Sequence, residues 1–234
     1  MASVIGVGVV ALTAGCGGGQ GGGHSTTSTS STVVPAAAPT IAPKDINALI
    51  VPPDAAGELL GTKFNWVGSP PPGWTSPPSP FVIDEGNPEC DAAMGLDSNT
   101  VGVVYTAWRS NHYKEDKDTF DHAVYQVVAT VADPKAAKQL LADALGKPLN
   151  DCNNVVIHRK DDKYHWRIQK SSSTDTEVLW TATELLDGQV VGWVCANEAR
   201  AKNNVVISAQ VCQNGNGAPV AKNMADMISA KIPG

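Results

Sequence analysis

Apolar positions fall at helical spacing near both ends of the chain and at strand-like spacing between them. "KDINALIV" (44–51) sets Ile46, Leu49 and Ile50 on one helical face, and Pro52 and Pro53 stop it. "DAAGELLG" follows, with Asp54 placed to cap, Leu59 and Leu60 apolar, and Gly61 as a stop. Proline crowds the stretch "GSPPPGWTSPPSP" (68–80), which predicts a surface loop; Trp74 is expected to clip it to the domain, with exposure for contact as the alternative. After Cys90 the period shortens. "VGVVYTAWRS" and "TFDHAVYQVVATVA" predict two long strands. "DPKAAKQLLADALG" is the clearest helix: Asp133 caps it, Pro134 takes its first position, Leu140, Leu141 and Leu145 lie on its stripe, and Gly146 ends it. "NVVIHRK" and "KYHWRIQ" flank Asp161-Asp162 as a hairpin, "EVLWTATELL" and "QVVGWVCA" flank the turn dipeptide Asp187-Gly188, and "NVVISAQVC" adds a last strand. A closing helix over roughly 218–232 shares Val220, Met224, Met227 and Ile228 on one face. Short connections impose antiparallel pairing. The expected architecture is α+β: one twisted antiparallel sheet of about six strands, helices packed mainly on one face, and two disulfides.

The N-terminal stretch follows other rules. "ASVIGVGVVALTAGC" is an apolar run too short to span a membrane, and "LTAGC" resembles a bacterial lipobox. That resemblance implies a signal peptide over 1–15 and lipidation of Cys16, placing the protein on the extracytoplasmic face of the cell membrane. Residues 16–43, rich in Gly, then Ser and Thr, then Pro and Ala, offer too little apolar surface to fold and read as a disordered tether. The folded domain is expected over 44–234. A net charge of −6 with mixed signs and no basic patch argues against nucleic acid.

Four cysteines remain in an exported chain and are expected to pair. With Asn203-Asn204 as the last hairpin turn, counting outward along the ladder sets Cys195 opposite Cys212, within disulfide reach. Cys90–Cys152 follows by elimination. Neither Cys-x-x-Cys nor close Cys/His spacing is present, so no metal or redox pair is expected. The same counting across Asp161-Asp162 faces His158 with His165, a pair suited to a pH sensor or a metal if not simply a polar face.

"GWVCANEARAKNNVVISAQVC" (192–212), followed by an amphipathic helix, resembles the end of the PknH-like extracellular sensor domain. "DHAVYQVVATVADPKAA" (121–137) resembles its middle, and the likeness spans roughly 44–234. That domain forms the outer part of a mycobacterial receptor kinase and also occurs in lipoproteins. The resemblance implies a twisted antiparallel sheet, two disulfides and a groove for a ligand. No Gly-rich kinase loop, His-Arg-Asp or Asp-Phe-Gly stretch is present. No Gly-x-Ser-x-Gly, His-Glu-x-x-His or P-loop is found either, so neither an enzyme nor a cofactor is expected. The expected activity is binding of a small molecule, a glycan or a protein. An envelope structural factor and a hydrolase with an unrecognised site are the alternatives. Trp108, Arg109, His122, Tyr125 and Gln126 are the candidate groove residues. Tyr125 and Gln126, being adjacent in a strand, face opposite ways. Glu184 is expected on the solvent side of its strand, and most strand tryptophans in the core.

Overall fold

Residues 39–68, 73–160 and 162–234 are described by a computed structural model of the chain. The proposed signal peptide, Cys16, most of the tether and Asp161 lie outside the described residues. Nine antiparallel strands form one sheet: β1 (Trp66–Val67), β2 (Ile83–Glu85), β3 (Ala107–Lys114), β4 (His122–Thr130), β5 (Val156–Arg159), β6 (His165–Ser173), β7 (Glu177–Leu186), β8 (Gln189–Lys202) and β9 (Val205–Asn214), in the order β1-β3-β4-β9-β8-β7-β6-β5-β2. The count exceeds the expected six or so. Seven strands are the long segments read from the sequence. The other two, β1 and β2, are short edges too brief to carry a period.

Turn chemistry sets the register. Asp187 and Gly188 both take positive φ, 50° and 77°, as a two-residue hairpin turn requires. Asn203 takes φ 52°, so Lys202 pairs with Val205 and Cys195 with Cys212. Both expected disulfides, Cys90–Cys152 and Cys195–Cys212, are formed. His158 and His165 are paired as counted. The first long strand starts later than expected, at Ala107. Its leading residues instead end a short helix α2 (Ser98–Val101), because the Asp97 side chain accepts from the Asn99 and Thr100 amides and Thr100 bonds back in a capping box.

Helices cover both sheet faces, not mainly one. On one face lie α1 (Pro53–Leu60), the 3-10 segment Pro43–Leu49 and α5 (Ala218–Ser229). The other carries the 3-10 segment Pro88–Met94, α2, α3 (Pro134–Leu141), the π turn Ala142–Gly146 and α4 (Pro148–Asp151). The central strands demand this. Val205, Val206 and Ile207 are consecutive, and each is fully buried. A run apolar on both faces needs cover on both. The π turn and α4 extend the helix past Gly146, and α1 is entered through Pro52 with Asp54 in its first turn instead of at its cap. In α3 the expected Asp133 cap forms, its side chain accepting from the Ala136 amide at 2.8 Å.

Ile41, within the stretch read as tether, is already anchored: its N–H and C=O both bond the buried Asn204 side chain. Arg200 ties α5 to the sheet through Asp226 at 2.6 Å while also pairing with Glu177 and the buried Glu198. Among the described residues, no helix is long and apolar enough to cross a membrane.

Candidate functional site

The sheet face carrying the Pro88–Met94 segment is crossed by a row of small side chains in register. Ala123 pairs with Cys212, Cys212 with Cys195, and Cys195 with Ala182, so the second disulfide lies flat in the row. The rows two residues to either side are bulky. His112 and Tyr125, opposite one another, make one wall with Gln210. Trp193, Glu184 and Trp166 make the other. Side chains alternate across a strand, so these rows share a face. A row of small groups between two of large ones leaves a trough. Phe81, Trp74, Met94 and Phe120 overhang it, enclosing a cavity of about 390 Å³.

The overhang is fixed at several points. Cys90–Cys152 ties the Pro88–Met94 segment to the end of α4, and Trp180 Nε1 donates to the Ala93 carbonyl at 2.9 Å. Trp74 clips its loop down as expected, exchanging backbone hydrogen bonds of 2.9 and 3.1 Å with Ser110. Gly73 permits that approach: it has φ 126°, and a Cβ there would lie 2.2 Å from the Ser110 carbonyl oxygen.

Two cations border the cavity from different strands. The Lys114 ammonium lies 3.7 Å from the Phe120 ring centroid and 5.4 Å from that of Trp66. The Arg159 guanidinium lies 3.7 Å from the Phe81 centroid; one Nη is 3.9 Å from Asp162, and its buried Nε has no hydrogen-bond partner among the described residues. Burial pulls the Arg159 pKa down, with Asp162 opposing. Burial and then the Asp162 charge push the Glu184 carboxyl up to about 7. The solvent-side placement expected for Glu184 is therefore corrected: alternation from Trp180 and Ala182 puts it on the covered face, opposite Trp166 in the cavity wall. Burial and the nearby Lys114 charge bring His112 down to about 4, so its ring is a neutral wall at ordinary pH.

Of the five groove residues named from sequence, Tyr125 lines the cavity. Gln126 faces the opposite side, fully buried, accepting from the Val51 amide at 2.9 Å and donating to its carbonyl at 2.7 Å. Trp108 is buried in the core and donates to Ser110 Oγ. Arg109 bonds Asn47, and both line a second depression on the far face. His122 pairs with Glu115 at 2.5 Å. Lys114, Arg159, Glu184, Phe81 and Trp193 were not singled out as groove residues. The signal for Trp193 was its place two positions from Cys195, which puts both on one face.

His158 and His165 stack with ring centroids 4.7 Å apart, and each meets a carboxylate of β2: His158 Nδ1 and Asp84 at 2.6 Å, His165 Nε2 and Glu85 at 3.3 Å. The Asp84 hydrogen bond raises the His158 pKa. Among the described residues, no group of three or more His, Cys, Asp or Glu side chains is placed to hold a metal ion.

The sequence model of the PknH-like extracellular domain matches residues 41–231. No curated protein matches the chain. Among solved structures, the crystal structure of the extracellular domain of PknH from Mycobacterium tuberculosis superposes with a TM-score of 0.71 at 21% identity, covering 82% of this chain and 97% of that one.

Proposed function

The chain belongs to the family of PknH-like extracellular domains, and from that premise we propose that it is a non-catalytic, sensor-like binding module held at the outer face of the cell membrane by a lipid on Cys16. The cavity over the Cys195–Cys212 row carries this reading. Its volume of about 390 Å³ falls within the range of small-molecule sites, and its lining is mainly apolar, with several aromatic rings and a few polar groups. Among the described residues that line it, no nucleophile is paired with a base, which favours binding over chemistry. A protein or glycan ligand would reach the same site from the Trp74 and Phe81 side. Native mass spectrometry of the full chain purified from membranes tests the reading. A small molecule is expected to co-purify with the wild-type chain and to be lost from Ala123→Phe, which fills the trough. An empty wild-type chain that binds nothing offered from an envelope extract refutes it. Lipidation is tested separately: Cys16→Ser is expected to abolish incorporation of labelled fatty acid and release the protein from membranes.

A further inference from the structure

The cavity has a long axis. Its floor, Lys114, Ala123, Cys212 and Cys195, crosses four adjacent strands, roughly 14 Å at about 4.8 Å per strand, and the Arg159 side chain reaches the cavity from β5, beyond Trp166. The bulky rows stand about 7 Å to either side along the strands. Such a slot is long and one chain wide. Its polar groups are unequal. Lys114 is already compensated by two aromatic faces. Arg159 has one aromatic face, that of Phe81, and a loose 3.9 Å contact with Asp162, which also accepts from Trp166 Nε1 at 3.0 Å and the Tyr164 amide at 3.2 Å; its buried Nε has no hydrogen-bond partner among the described residues. A desolvated guanidinium with a free donor favours an anion, ideally one that accepts from two N–H groups at once. Glu184, protonated below about pH 7, adds no competing charge there.

Resting on the reading of this cavity as a binding site, we infer that its ligand is a single-chain carboxylate, with the alkyl chain along the row of small residues and the head at Arg159. The aromatic walls bury the chain, and the guanidinium selects the acid over its neutral derivatives.

The test uses the full chain, tryptophan fluorescence and titration calorimetry at pH 6.5, with palmitate and methyl palmitate below their aggregation limits. Palmitate is expected to bind at least ten-fold more tightly than the ester. Arg159→Met should remove that preference, and Lys114→Met should keep it. The ester comparison needs no variant and stands even if Arg159→Met fails to fold. Equal binding of acid and ester, both blocked by Ala123→Phe, overturns the head assignment and leaves the cavity reading intact. An equal loss in Lys114→Met places the head at the wrong end and also overturns it. If neither probe binds, the chain-shaped ligand is wrong, and the co-purification result above still decides independently whether the cavity holds anything.

Discussion

Glu184 and Gln126 are polar residues set into strands for opposite ends. Glu184 faces the cavity, where burial keeps its carboxyl protonated to about pH 7. A folded-state pKa above the unfolded value means that ionising it costs the folded form more, so stability falls as pH rises from about 4.5 to about 7. Glu184→Gln stays neutral throughout. The variant is expected to match the wild type in melting temperature near pH 4.5 and to exceed it by a growing margin toward pH 8, measured by calorimetry; a constant margin would refute the cause. Gln126, by contrast, is a latch. Both its amide atoms bond Val51, and the Tyr113 hydroxyl donates to the same carbonyl at 3.0 Å. Gln126→Leu would leave the buried Val51 N–H unpaired, at a cost of about 1–3 kcal/mol in denaturant unfolding. The sequence told that Tyr125 and Gln126 part ways, because alternation along a strand is local. Which of the two faced a cavity was not legible, since that depends on what the distant Pro88–Met94 segment covers.

Elements were legible to the extent that their signals were local. The Asp133 cap, the Asp187-Gly188 turn and the count outward from Asn203 each depend on a few neighbouring residues, and each gave the observed geometry. The two-faced cover was also written in the strands, since "NVVIS" and "YQVVATVA" do not alternate; the short segments that supply the second cover carry no comparable period. The edges were hidden for a different reason: β2 is only three residues long, and its short ladder to β5 is supplemented by side-chain contacts. Its Asp84 and Glu85 meet His158 and His165 on the neighbouring hairpin. The Asp84 contact raises the His158 pKa, so its stabilising effect is full below the unfolded value near 6.5 and is lost as pH rises through the higher folded value. Amide protection factors across Ile83–Glu85, corrected for intrinsic exchange, are expected to drop between pH 6 and pH 8.5. In His158→Gln that drop should shrink. An unchanged pH profile in the variant would remove His158 as its cause.

At the scale of the molecule, the two disulfides divide the cavity between them. Cys195–Cys212 joins opposed residues of one hairpin, 17 apart in sequence, and serves as floor. Cys90–Cys152 spans 62 residues and fastens the overhang to the end of α4, so it constrains a larger loop and a surface that the sheet hydrogen bonds do not hold. Loop-closure entropy puts the loss on removal at about 3 kcal/mol for the first and about 4 kcal/mol for the second. The difference in function is larger than the difference in stability. With the floor bond replaced by two alanines, the hairpin ladder still holds both strands and the trough only deepens. With Cys90 and Cys152 replaced, the segment bearing Met94, Gly95 and Leu96 is left on the Trp180–Ala93 hydrogen bond and its apolar contacts. Guanidinium unfolding is therefore expected to show a modestly larger loss for the Cys90/Cys152 double variant. Ligand dissociation is expected to quicken at least ten-fold in that variant alone. Equal quickening in the Cys195/Cys212 double variant would mean that retention depends on the floor, and that the overhang is not what closes the site.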